Sequence, residues 1–182
     1  LLDTVMLGQL GEVAMSGSSL GNQIGFIYQI MNLGLTAGAG VLTSQYWGRK
    51  DSASIRKVMS MAYKISMTLA AIFTILALTI PDILMSFYTK EPEVIEAGAQ
   101  YLRIIAFTYL VSGFTMTSMS ILRTVGTVKI TLYMYIISFF VNVFFNYCLI
   151  FGHFGFPQMG IVGAAIATLI ARVVECMIIV VY

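Results

Sequence analysis

Charge is what this sequence has least of. Only 10% of its 182 residues are Asp, Glu, Lys or Arg, against about a quarter in an ordinary soluble domain. With 59% hydrophobic residues and a mean hydropathy of +0.91, a soluble fold could not keep so much apolar surface from water. That excludes a soluble enzyme and a disordered chain. Cysteine is equally scarce: Cys148 and Cys176 both lie inside apolar runs, which excludes a disulfide scaffold. The net charge of +2 is too small a basic excess to point to nucleic acid. No HExxH, Walker A or GxSxG motif occurs, so the usual membrane-enzyme signatures are missing and the chain reads as a non-enzyme. The lone histidine, His153, reads as an interfacial residue in a short loop rather than a metal ligand. An integral membrane protein remains.

About 20 mostly apolar residues cross the hydrocarbon core as a helix, so the gaps between charges locate the spans. No charge occurs from Val13 to Gly48, long enough for one span plus a loop. Further runs extend from Val58 to Ile80, where Pro81 stops the helix, from Arg103 to Arg123, from Lys129 to His153, and from Met159 to Tyr182. Barrel strands would alternate over about ten residues instead. The expectation is an all-α, polytopic transmembrane bundle in the lipid bilayer, with five helices complete or nearly so. The opening LLDTVMLGQLGE reads as the end of a helix, and MIIVVY stops while still hydrophobic. The chain is therefore expected to be part of something longer.

Loop charge orients the bundle. Residues 48–57 hold four basic side chains and residues 123–129 hold two, while residues 81–96 hold one Lys against four acids. By the positive-inside bias, loops 48–57 and 123–129 are cytoplasmic. Gly17, Gly21 and Gly25 follow a small-xxx-small rhythm, and Gly34 with Gly38 repeats it. Such spacing lets helix backbones approach closely in lipid, so all five are expected at packed helix faces.

Three polar features are costly to explain by packing alone. Asp3, among LLDTVML, would lie within the membrane if a helix half precedes it. Asn142 and Asn146 stand at i and i+4 on one face of an aromatic and aliphatic helix. Their oxygens could coordinate a hard cation, or their amides could bridge neighbouring helices. Thr168 and Ala164, one turn apart, could add a hydroxyl and a carbonyl. Arg172 and Glu175, three apart, can pair with each other, either as a neutralised intramembrane pair or as a functional one.

In order along the chain, LLDTVMLGQLGEVAMSG, GLTAGAGVLTSQYWGRKD, YLRIIAF, SILRTVGTVK, NVFFNYCLIFG and GIVGAAIATLIAR resemble the N-terminal lobe of a multidrug and toxic compound extrusion (MATE) transporter. The resemblance covers essentially the whole chain. It implies a twelve-helix, two-lobe antiporter, of which residues 1–182 would supply the end of helix one and helices two to six. The start of helix one and the whole C-lobe would be missing, the latter being the implied partner. The resemblance further implies alternating-access export of drugs and other organic cations across a bacterial plasma (inner) membrane, with no cofactor and with Na⁺ or H⁺ as coupling ion. The family's N-lobe ion site, and with it any bound Na⁺, maps onto Asp3, Asn142, Asn146, Ala164 and Thr168. Many members carry Asp where Asn146 stands, which leaves one anionic ligand fewer here. The family's common proline after the glycine of the fourth–fifth loop is replaced by Thr127. Two rival readings are a lipid-linked oligosaccharide flippase, for which a more basic cavity would be expected, and a non-transporting structural membrane subunit.

Overall fold

Glycine, proline and one capping aspartate divide this chain into helices. The computed structural model describes all residues except Leu1, Val125, Val128 and 153–155, and omits the side chains of Leu2 and Asp3. Helix α1 (Leu2–Gly8) ends shortly before Gly11, whose φ of 134° suits only glycine. Helix α2 (Glu12–Gly48) starts directly after it. A tight turn with Lys50 in the left-handed region (φ 57°) leads to Asp51. Asp51 caps α3 (Ser52–Thr79) by accepting from the Ser54 amide at 3.1 Å and the Ser54 hydroxyl at 2.6 Å. These bonds favour the ionised form and hold its carboxyl below the usual carboxylate range, the Ser54 hydroxyl contributing most. Pro81 then opens α4 (Pro81–Ser86) at a position where its missing N–H costs nothing, and α5 (Pro92–Thr124) also starts on proline. Helices α6 (Lys129–Phe151) and α7 (Gly160–Val181) complete the chain.

Helices α2, α3, α5, α6 and α7 are each long and apolar enough to cross a membrane, and no strand occurs among the described residues. The protein is an all-α integral membrane protein. Three details differ from the sequence expectation. No loop interrupts α2, which continues for 37 residues, about 55 Å at 1.5 Å per residue. Glycine alone did not break it. Pro81 ends α3 but initiates α4. Helix α5 begins eleven residues before Arg103 (103 − 92), because Arg103 is a surface residue of the helix, 3.6 Å from Asp82 of α4, and not its boundary.

Helix α5 is the axis, touching α2, α3, α4 and α7, while α6 packs on α7 and α1. Helices α2 and α5 run parallel: Tyr28 donates to the Tyr109 carbonyl and Ser120 to the Thr36 carbonyl, at sequence separations of 81 and 84. Helix α3 returns antiparallel, with Tyr63 against Ser118 and Thr74 donating to the Ala106 carbonyl. The interior is built from small and hydroxylated residues such as Ala70, Ala106, Ser66 and Thr117, while Phe26, Phe140 and Leu132 face outward. This arrangement suits lipid, where tight backbone packing holds helices together and apolar bulk can face outward at no cost.

The glycine stripe divides in two. A Cβ on Gly17 would stand 2.9 Å from the Gly98 amide nitrogen, and one on Gly21 would strike the Tyr101 ring at 2.8 Å. Gly25 faces Tyr109 at an ordinary 3.7 Å. Gly34 and Gly38 are exposed, with nothing within 4 Å of an added Cβ, so the packing expected there does not occur within this chain. At 100° per residue, Gly34 lies roughly 140° from the middle of the buried face that carries Gly17, Gly21, Tyr28, Asn32 and Thr43. The rhythm repeats on another side of the helix.

Candidate functional site

Polar groups inside a membrane bundle need partners or water, and here they gather in connected places. Helices α6 and α7 run antiparallel at close range. Asn146 is fully buried and its Nδ2 donates to Asn142 Oδ1 at 3.0 Å. Asn142 Nδ2 reaches Thr168 Oγ1 on α7 at 3.4 Å, long for such a bond. Ala164, one turn before Thr168, is fully buried. The structure thus brings Asn142, Asn146 and Thr168 together across the α6–α7 contact. The side chain of Asp3 lies outside the described residues, as does His153. Helix α1, which carries Asp3, borders α2, α6 and α7, and its Thr4 lines the cavity described next.

That cavity, about 480 Å³, opens between α2, α5 and α7. Asn22, Gln23 and Gln29 line it from α2, Thr108 and Ser112 from α5, and Thr168 and Arg172 from α7. Asn22 Oδ1 accepts from the Tyr101 hydroxyl at 3.1 Å. Among the described lining residues the only charged side chain is Arg172. Its Nη1 donates to both carboxylate oxygens of Glu175, at 3.0 and 2.7 Å. Glu175 is 3% exposed and also accepts from Ser138 of α6 at 2.6 Å. The expected pairing of Arg172 with Glu175 is therefore present, and it ties α7 to α6.

Tyr28, at the cavity wall, leads inward. Its hydroxyl donates to the Tyr109 carbonyl at 2.8 Å and accepts from Asn32 Nδ2 at 3.0 Å. The same nitrogen donates to Ser66 Oγ at 2.9 Å, and Ser66 donates to the Gly113 carbonyl at 3.1 Å. This node fastens α2, α3 and α5 at mid-height. Gly113 leaves room for it, since a Cβ there would stand 2.9 Å from the Tyr28 hydroxyl.

Sequence reasoning missed this node and most of the cavity lining. One signal was available: Tyr28, Asn32 and Thr36, each four apart, continue the buried Gly17–Gly21–Gly25 stripe along α2. Among the described residues no group of three His, Cys, Asp or Glu side chains could hold a metal ion.

A family model, MatE, matches residues 1–148. The chain belongs to the MatE family. It is 32% identical over 181 residues to a probable multidrug resistance protein NorM of Thermotoga maritima, covering 96% of this chain and 38% of that one. A probable multidrug resistance protein NorM of Rhizobium meliloti is 30% identical over 167 residues, covering 92% and 36%. The chain thus spans less than two fifths of the length of these curated MatE relatives. A crystal structure of a MATE in the bent conformation shares the fold, with a TM-score of 0.87 at 22% identity over 97% of this chain and 39% of that one. An inward-facing multidrug resistance MATE family transporter gives 0.85 at 23% identity, over 98% and 40%.

Proposed function

We propose that this chain is the N-terminal lobe of a two-lobe antiporter that exports drugs and other organic, mostly cationic, compounds in exchange for Na⁺ or H⁺. The observation that carries the reading is the double membership of Thr168. It belongs to the amide cluster of Asn142 and Asn146 and also to the wall of the 480 Å³ cavity. An ion taken up at the cluster would rearrange a side chain that substrate contacts. Coupling requires that ion and substrate favour different states of the bundle, and a shared residue provides the means. Turning over the Asn146 amide alone would replace the 3.0 Å bond by two amide oxygens, Asn142 Oδ1 and Asn146 Oδ1, side by side for a hard cation. Asp3 supplies the charge in this scheme, either as a sodium ligand or as the group that takes up a proton. The facing C-lobe would provide the other wall of the cavity. Loops 48–57 and 123–129 face the cytoplasm of a bacterial cell, with the bundle in the inner membrane.

The test is gradient-driven efflux from vesicles carrying the complete gene product, with imposed Na⁺ and H⁺ gradients applied separately. Asp3→Asn should abolish ion-driven efflux while insertion is retained. If Na⁺ is the coupling ion, Asn142→Ala removes one neutral ligand and should weaken Na⁺ affinity about 5- to 150-fold, corresponding to roughly 1–3 kcal/mol. Full gradient-driven efflux by Asp3→Asn would overturn this assignment and move the coupling group to Glu175 or to the other lobe.

A further inference from the structure

We infer that Arg172 is a recognition site for a carboxylate on the transported molecule, so that the cavity selects compounds carrying an acidic group over their esters. The inference rests on the proposed transport function and names the part of the substrate that α7 reads. Arg172 stands near the middle of a membrane-spanning helix, where an ionised side chain is expensive and ordinarily tied to function. Its partner explains how it is held but leaves most of its donors unused. Guanidinium carries five N–H groups on three nitrogens. Both contacts to Glu175 come from Nη1 alone. Nε and Nη2 have no protein partner among the described residues, while the side chain is 36% exposed and lines the cavity.

The supporting groups fix the direction of this fork. Glu175 is buried, is held by Ser138 from α6 at 2.6 Å, and engages Nη1 alone. A group merely neutralising Glu175 would need neither cavity exposure nor spare donors. Around Arg172 the described lining offers neutral amides and hydroxyls, such as Gln23, Gln29, Thr108 and Thr168. None of these competes for the guanidinium as a carboxylate would. A planar carboxylate matches the remaining N–H pair in two parallel bonds, the geometry in which arginine outperforms lysine. Glu175 and Ser138 are positioning residues in this arrangement, and Arg172 makes the contact.

A matched pair of probes tests it: a rhodamine with a free carboxylate and the same rhodamine as its methyl ester. Both keep the delocalised cation and differ only at the group in question. Binding to the purified complete protein is read by fluorescence anisotropy, and export is read in vesicles under an imposed gradient. Wild-type protein should bind the carboxylate form on the order of 10-fold more tightly than the ester, as expected for a charge-assisted pair of hydrogen bonds. Arg172→Gln should erase that preference, and Arg172→Lys should keep only part of it. Because Arg172→Gln strands the buried Glu175, the double variant Arg172→Gln, Glu175→Gln is measured alongside to preserve the fold. An unchanged preference in the folded double variant overturns the inference, as does a wild type that favours the ester. Export of both dyes without Arg172-dependent preference would leave the transport reading standing and sink this one. Arg172-dependent binding without export under any gradient would sink the transport reading and reduce this one to a carboxylate-binding site.

Discussion

Adding one methyl group at Gly163 should loosen the contact that brings the candidate ion ligands together. A Cβ built there lies 2.6 Å from the Leu149 carbonyl oxygen, 2.8 Å from its carbon and 3.0 Å from its Cβ, where ordinary contact begins at 3.4 Å. The obstacle is backbone, so no rotamer change relieves it. Leu149 cannot easily retreat either, because its carbonyl also accepts from the Met159 amide at 2.9 Å. The helices must therefore part by several tenths of an ångström, and overpacking of this kind costs about 1–3 kcal/mol. Replacing glycine by alanine inside a helix returns about 0.8–1.0 kcal/mol, which would blur the reading of one variant alone. Gly34→Ala removes the ambiguity, since it gains the same helix propensity with nothing within 4 Å to strike. The difference between the two variants isolates the steric cost. At roughly 2–4 °C per kcal/mol for a chain of this size, Gly163→Ala should melt about 2–12 °C below Gly34→Ala in detergent. Near-ultraviolet circular dichroism against temperature gives both midpoints. Equal midpoints would refute the claim that backbone contact at Gly163 sets the spacing of α6 and α7.

Two further outcomes follow from the loop that joins α2 to α3. Asp51→Ala should lower thermal stability at neutral pH, with the gap closing in acid. The carboxyl is held below its ordinary range in the folded state, so its contribution is full above the unfolded value and disappears as pH falls through the lowered one. Melting curves at several pH values check this, and a gap that stays constant into strong acid would contradict the capping role. Single cysteines at Ser54 and Glu93, in a background lacking Cys148 and Cys176, report sidedness through an impermeant thiol reagent applied to intact cells. Position 93 should label and position 54 should not, and the opposite pattern would invert the topology read from Arg49, Lys50, Arg56 and Lys57.

The five spans were legible because charge is so scarce that its gaps outline them. What the gaps could not give were helix ends. Arg103 looked like a boundary, yet it sits on the surface of α5 opposite Asp82, because a long side chain can carry its charge out of an apolar run. The extent of α2 was hidden for the opposite reason: glycines that would interrupt a soluble helix are tolerated in lipid, where the backbone gains nothing by opening. Spacing also failed to say which side of α2 was packed. Gly34 and Gly38 share the rhythm of Gly17 and Gly21 but not their direction. At the candidate site, the i, i+4 spacing of Asn142 and Asn146 placed both on one face, and the resemblance supplied Thr168 opposite them. The Asn32 node and the Ser138–Glu175 bond depend on which helices become neighbours, which no single helix encodes.

The neutrality of the α6–α7 cluster bears on how a coupling ion could be chosen. Asn142, Asn146 and Thr168 can supply oxygens, but none of them titrates in the physiological range, so the cluster can tune affinity for a metal cation and cannot itself carry a proton. Glu175, the buried carboxylate closest along the chain, is already paired with Arg172 at 2.7 Å and bonded by Ser138. In the proposed scheme, charge exchange falls to Asp3. The two ions then make different demands on the same residues. Sodium would use the charge of Asp3 together with the neutral oxygens, so its affinity should fall when Asn142 is lost. A proton would need Asp3 alone, and efflux driven by it should tolerate Asn142→Ala. Removing one neutral side chain thus separates two mechanisms that share one proposed carboxylate.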